Sequence, residues 1–344
     1  MKSLNYRPWG QFLWIVDNLN FSHWDLIGCL STEDRSTTVY SELRNKNLLN
    51  NCYIFKIEDP ILAGDPMSPL AERIINKHNK IYGVFRGLGL SDDDIFEYKL
   101  FEYRDVLISA LDEISNSTCG NLVFDISTFP KRFFFPIIKI LLEDDNIENL
   151  IIAYTVPEMY ERGEMAEDYE EWRTLPFFGE KFPPRKSEII FAGAGHMAMG
   201  LPEQIEDVAG GVDIRVFMPF PGDPHSFNRN WDFIRNIENN LNPGRIHICT
   251  VYARDVPEVF DYLTVESNYG KKEALLAPYG PKPISLAMCL FACITGSPVY
   301  YTQPRVYSPE YSSGVKVVDN NPQIFTYCIK INKNTIYSLK DSDD

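Results

Sequence analysis

Short apolar runs of strand length alternate with longer helical patterns along nearly the whole chain. This alternation is the feature that most restricts the fold. A strand, a helix and a second strand in succession build a βαβ unit, and a series of such units gives a mainly parallel sheet flanked by helices. In the first half, strands are expected at residues 11–17, 52–58, 97–102, 121–127 and 150–155, with helices at 24–49, 70–88, 106–115 and 133–142. In the second half, strands are expected at 188–193, 213–219, 245–251, 274–278 and 298–302, with helices at 202–209, 227–241, 256–266 and 284–293.

Four landmarks recur in the same order. Gly64-Asp65-Pro66-Met67-Ser68 matches Gly222-Asp223-Pro224-His225-Ser226, and Arg104-Asp105-Val106 matches Arg254-Asp255-Val256. Pro130-Lys131 matches Pro281-Lys282, and the run Tyr154 to Tyr160 matches Tyr301 to Tyr307. Their spacings are 40, 26 and 24 residues in the first half against 32, 27 and 20 in the second. Strand–turn–helix grammar reuses Gly, Asp and Pro at turns, but four matches in order point to an internal duplication. The expected fold is therefore α/β, with two Rossmann-like, mainly parallel three-layer halves at 1–160 and 188–312. Between them, 161–187 reads as an exposed linker or lid, because residues 161–171 hold six acids and one arginine and Pro183-Pro184 follows. Beyond 312 the pattern changes to β-prone runs at 315–318, 324–331 and 335–339. The last two are separated by Asn332-Lys333-Asn334, which predicts a C-terminal β-hairpin packed on an edge and an acidic tail, within 313–344.

A length of 344 residues agrees with two cores, since one domain usually holds about 100–200. The net charge of −15 and the lack of any Lys/Arg-rich run disfavour direct nucleic-acid binding. They fit either simple solubility or contact with a basic protein or the basic part of a larger complex; a protein partner or homo-oligomer is expected. The seven cysteines form no C-x-x-C pair, several lie in apolar runs, and Met1–Gly10 has no signal-peptide pattern. Reduced thiols and a cytoplasmic location are expected. The most apolar stretch, 284–296, has 13 residues, against about 20 for a membrane span.

Ligands of open parallel sheets bind where strand ends lead into helix N-termini. In the second half the fourth such loop reads Ala277-Pro278-Tyr279-Gly280-Pro281-Lys282-Pro283, followed by Ile284-Ser285; in the first half it reads Asp125 to Arg132. Lys282, Lys131 and Arg132 thus fall in the first turn of a helix, where the dipole disfavours a cation and a bound anion would reverse the sign. Solvation, or pairing with a carboxylate such as Asp125, is the alternative account. Pro281 and Pro283 lack N–H groups, so this is no P-loop cradle. The segment Gly280-Pro281-Lys282-Pro283-Ile284-Ser285 resembles the Gly-Gly-Thr-Lys-x-Met segment of the CRISPR-associated Rossmann-fold (CARF) sensors. With the lysines aligned, Tyr279 stands at that family's first Gly and Pro281 at its Thr. The resemblance implies a phosphate-bearing ligand near Lys282.

The first loop of the second half contains Gly193, Gly195 and His196, and its glycines permit close backbone approach. Its spacing departs from G-x-G-x-x-G, which argues against NAD. The corresponding loop of the first half, 17–20, has no glycine, so at most one half is expected to keep an intact site. The five histidines show no metal-ligand spacing, and no G-x-S-x-G elbow surrounds Ser127 or Ser285. His196 and His225 fall on loops where a general base could act. The candidate ligand residues are Gly193, Gly195, His196, Gly280, Lys282, Ser285, Lys131 and Arg132. Three functions stay open. The first is a sensor that binds a nucleotide or other phosphate-bearing ligand and signals to partner subunits. The second is an enzyme acting on such a molecule. The third is a structural subunit.

Overall fold

In the computed structural model the seven residues Trp24–Leu30 are all buried, on both faces of a strand. A strand in the middle of a parallel sheet covered on both sides reads as one apolar run with no alternation. The structure describes residues 6–64, 67–102, 104–163, 165–179, 187–195, 212–220, 224–240 and 246–339. The main strands are β1 (Trp9–Gln11), β2 (Trp24–Leu30), β3 (Leu49–Glu58), β4 (Ile95–Lys99), β5 (Asn121–Asp125), β6 (Asn149–Thr155), β7 (Ile189–Gly193), β8 (Asp213–Phe220), β9 (Ile246–Tyr252), β10 (Ala274–Ala277) and β11 (Ile324–Ile331). The α-helices among the described residues are α1 (Phe12–Leu19), α2 (Thr38–Asn45), α3 (Pro60–Gly64), α4 (Pro69–Gly87), α5 (Arg104–Ser117), α6 (Lys131–Glu143), α7 (Pro224–Asn240), α8 (Val256–Glu266) and α9 (Lys282–Thr295).

The chain is an α/β protein that divides into two compact units. One comprises Tyr6–Asp168 with Pro304–Ile336; the other comprises Tyr169–Gln303 with the residues from Tyr337 onward. The sheet of the first unit runs β1-β11-β6-β5-β2-β3-β4. Strands β2 to β6 are mutually parallel, and β11 joins β6 antiparallel. One face packs on α1, α2 and α4 through Phe12, Ile15, Tyr40, Leu43, Ile81 and Phe85. Aromatic contacts join the other face to α6 and the loop before it, among them Phe55–Phe129 and Tyr98–Phe133. At the amino end of the sheet, buried Asp25 accepts from Asn50 Nδ2, Asn51 N, Thr118 Oγ1 and Cys119 N at 2.7–2.9 Å. That carboxylate pins the starts of β2, β3 and β5 together.

The sheet of the second unit runs β9-β8-β7-β10, all parallel. Numbered by their parallel strands, both sheets share the order 3-2-1-4. The fifth position is filled by β6 in the first unit and by Val299, bridging Leu276, in the second.

Several expectations need correction. Residues 11–17 are mostly helix, because Phe12, Ile15 and Val16 recur at helical spacing and α1 closes on Asn20 in the left-handed region. Residues 24–49 are a strand, a short 3₁₀ turn and α2 rather than one helix. The expected terminal hairpin is not a separate edge element. Its first strand, β11, lies inside the sheet between β6 and β1, and only the short Asn334–Thr335 completes a hairpin with it. The stretch expected as an exposed linker buries Met165, Trp172, Leu175 and Phe178. Its residues 164 and 180–186, like the helix expected at 202–209, lie outside the described residues. All seven cysteines are free. Among the described residues no helix is long and apolar enough to cross a membrane.

Candidate functional site

In the second unit the order reverses at β7, which has β8 on one side and β10 on the other. The loops leaving β7 and β10 are consequently neighbours at the carboxyl end of the sheet. They touch backbone to backbone. A Cβ on Gly195 would stand 1.9 Å from the Tyr279 carbonyl oxygen, and one on Gly193 would stand 2.9 Å from Gly280 N. The lack of side chains at Gly193, Gly195 and Gly280 is therefore required by the packing of one loop on the other.

Pro281 precedes the first turn of α9 with extended backbone, and Lys282 opens the helix. The half-buried Lys282 thus sits beside the glycine contact. Ser285 is fully buried, and its hydroxyl donates within reach of the carbonyls of Gly280 (3.2 Å) and Pro278 (3.4 Å). It holds the loop in shape instead of facing a solvent-filled space. His196 lies outside the described residues.

An aromatic wall unread in the sequence flanks this loop. Tyr279 hydrogen-bonds Thr302 Oγ1 through its hydroxyl at 2.9 Å and packs on Tyr301 and Phe233, while Trp172 stacks on Tyr300 at 4.3 Å. Burial pushes the Tyr279 phenol up, so it stays protonated. The signal available beforehand was the local excess of aromatics at 300–301 and at 279; nothing in periodicity paired them with Trp172.

The first unit places Pro130-Lys131 at the same kind of junction, after β5 and at the start of α6. Here Lys131 is buried, and the Arg132 guanidinium lies 5.1 Å above the Phe101 ring. Asp125 accepts from Ser127 N (2.9 Å) and from the Ser127 hydroxyl, and that hydroxyl accepts from Thr155 N at 2.7 Å. Thr128 Oγ1 donates to the Cys29 carbonyl at 2.8 Å, so this loop is knitted to both neighbouring strands.

The loop after the true first strand, β2, is Ser31-Thr32-Glu33-Asp34 and not residues 17–20. It carries a buried ion pair: Arg35 Nε and Nη2 donate to Glu33 Oε2 at 3.0 and 2.8 Å, and Nη1 donates to the Thr155 carbonyl at 3.1 Å. Burial opposes the Arg35 charge, but Glu33, with Tyr154 and Tyr160, outweighs it and holds the guanidinium ionised. Ser312 donates its hydroxyl to Glu33, and Gly314 N donates to Asp34 at 3.0 Å. The C-terminal segment thus covers the position where the order of this sheet reverses.

A cavity of about 310 Å³ opens in the first unit between α4 and the sheet, lined by Leu30, Lys56, His78, Tyr82, Asp92 and Glu97. Lys56 pairs with Glu97 of the same lining at 2.6 Å, and Asp92 pairs with Arg86 outside it at 2.5 Å. Burial and the nearby Lys56 push His78 down to about 4, so its imidazole is neutral near pH 7. Burial pushes Asp59, at the carboxyl end of β3, up to about 6 against two backbone donors. Among the described residues no group of His, Cys, Asp and Glu side chains is arranged to hold a metal ion. No family model and no curated protein matches the chain.

Proposed function

We propose that the chain is a Rossmann-like binding subunit. In this reading the second unit takes a nucleotide or another phosphate-bearing ligand beside Lys282 and passes that state to partner subunits. The observation that carries the reading is the placement of Lys282 on the first turn of α9, at the carboxyl end of β10, next to the strand where the sheet order reverses. A cation in a helix's first turn is disfavoured by roughly 0.3–1 kcal/mol until an anion binds there. The resemblance of this segment to that of the CARF sensors agrees with a phosphate ligand. An internal duplication belongs to the same proposal: both units share the strand order, and Pro130-Lys131 and Pro281-Lys282 each follow the fourth parallel strand. The first unit would then be a copy whose site is closed by Glu33, Arg35 and the segment around Ser312.

Calorimetric titration of ATP, AMP and inorganic phosphate tests the reading. Lys282→Ala should weaken the binding of whichever phosphate probe binds by roughly 1.5–3 kcal/mol, the range for a hydrogen bond to a charged group. Lys131→Ala should leave that affinity unchanged. The tight glycine contact favours a second reading, a structural subunit, because the chain itself occupies the space its glycines open. Absence of binding by all three probes would select it.

A further inference from the structure

A core-facing stripe runs along α4, where Ala71, Ile74, Ile81 and Phe85 are all buried. His78 completes it, four residues after Ile74 and three before Ile81, at a place where helical spacing calls for an apolar side chain. The sheet breaks its pattern opposite the same helix. Along β3, Cys52, Ile54 and Lys56 share one face, and the first two belong to the core that holds Ile81 and Phe85. Lys56 registers with Leu30 on β2 and with Glu97 on β4, so these three side chains lie on the α4 side as well. A histidine and a lysine thus line the interface where apolar residues would close it, and the cavity of about 310 Å³ lies there.

The imidazole is the group left without a partner. It is half-buried, Lys56 is the charge that acts on it, and among the described residues none hydrogen-bonds it. The ionised groups of the lining are already met: Lys56 by Glu97, and Asp92 by Arg86 and the Tyr82 hydroxyl. Polar groups drawn out of water nearly always have a partner in folded proteins, because leaving them without one costs free energy.

We propose that this cavity binds a mono- or disaccharide, held by His78, Lys56 and Glu97. Charge selects a neutral ligand. An anion would be opposed by Glu97 and Asp92 and a cation by Lys56, whereas a neutral molecule leaves both ion pairs intact. The lining selects hydroxyls over a flat heterocycle. Only Leu30 and Ile95 in it are aliphatic, and the Tyr82 ring already carries the Arg86 guanidinium 5.7 Å from its centre. Donors and acceptors stand side by side instead, with the Lys56 ammonium 2.6 Å from the Glu97 carboxylate. A hydroxyl donates one hydrogen bond and accepts two, so neighbouring hydroxyls of one sugar can use the ammonium, the carboxylate and the neutral imidazole together. The volume equals roughly ten waters at about 30 Å³ each and falls at the small end of ligand pockets, about 300–1,000 Å³.

Titration of glucose, galactose, ribose and sucrose into the full chain tests this, read from the imidazole nitrogen resonances in NMR, with His78→Leu to assign those of His78. At least one of the four sugars should shift the His78 resonances saturably, and adenine and inorganic phosphate should not. Lys56→Met and Glu97→Gln, both on side chains open to solvent, should each weaken that binding at least about tenfold, the loss of one hydrogen bond to a charged group. His78→Leu should abolish binding, followed by calorimetry, and raise the urea midpoint, because leucine restores the apolar stripe. Lys282→Ala should leave sugar binding unchanged, so this site stands or falls apart from the phosphate reading of the second unit. No saturable shift with any of the four sugars, adenine binding in their place, sugar affinity unaltered by Lys56→Met, or a lower urea midpoint for His78→Leu would overturn the proposal.

Discussion

The parallel strands of the two sheets have the same order, and the chemistry at their point of reversal differs. In the first unit the position where the order reverses is filled by polar side chains: Glu33 and Arg35 pair in the interior, Ser127 bridges Asp125 and Thr155, and Ser312 and Gly314 bond the β2 loop. In the second unit the corresponding loops meet through bare backbone at Gly193, Gly195 and Gly280. At the point of reversal one sheet holds a buried charge network, and in the other two loops touch where side chains are absent. A seal made of ions fails when one partner is removed; a seal made of backbone contact fails when a methyl group is added.

The largest expected effect follows from that difference. Glu33→Ala leaves the Arg35 guanidinium buried without its carboxylate and should lower stability by about 3–5 kcal/mol, read from urea unfolding. A loss below about 1 kcal/mol, the level of an exposed pair, would mean that the ion pair is open to water and the first unit is not sealed as described.

Next comes Gly195→Ala. Its Cβ meets the Tyr279 carbonyl and the loops must separate, so stability should fall by about 1–3 kcal/mol, the usual cost of overpacking. Unchanged stability would show that the two loops part easily, which would sharpen the case for a ligand entering between them.

Smaller effects come from two groups of the first unit that titrate in opposite senses. Asp59 has a folded pKa raised from 3.8 to about 6. It therefore stabilises the fold most below its unfolded value and loses that contribution as pH rises through 6. Asp59→Asn should raise stability at pH 7 by about 1–2 kcal/mol, allowing for partial solvent access at about 1.4 kcal/mol per pKa unit. The gain should vanish near pH 4. His78 has a folded pKa lowered from 6.5 to about 4, so its contribution is present above 6.5 and is lost as pH falls toward 4. With Asp59 replaced, the opposing slope is gone, and the urea midpoint should drop more steeply between pH 6 and pH 4 than in the unaltered chain. Equal slopes in the two proteins would show that these groups are not buried as the first unit places them.

Much of the fold was legible because strand–helix alternation is local. The expected helix at 256–266 coincides with α8, and the expected strand at 213–219 differs from β8 by one residue. The junctions at Pro130-Lys131 and Pro281-Lys282 could be read from the same grammar, since proline before a helix sets the entry angle wherever it occurs. The errors fell where a short apolar run suits either structure. Residues 11–17 carry Phe12, Ile15 and Val16 at helical spacing within a run brief enough to pass for a strand. Trp24–Leu30 is buried on both faces, so it shows no period of two.

Of the candidate site, residue types and loops were visible, and their surroundings were not. Gly193, Gly195 and Gly280 stood out as glycines after strands, but that each makes room for the other loop depends on β7 and β10 being adjacent. The placement of β11 between β6 and β1 joins residues more than 160 positions apart, and the contact of Ser312 with Glu33 spans 279. The alternation of apolar and polar residues by itself determined that this chain forms parallel sheets with helices between the strands, since that pattern is set by neighbours a few residues away. Which strand lies beside which and which charges are sealed inside were decided only by the tertiary structure, because those outcomes depend on contacts between segments whose separation in sequence carries no local signal.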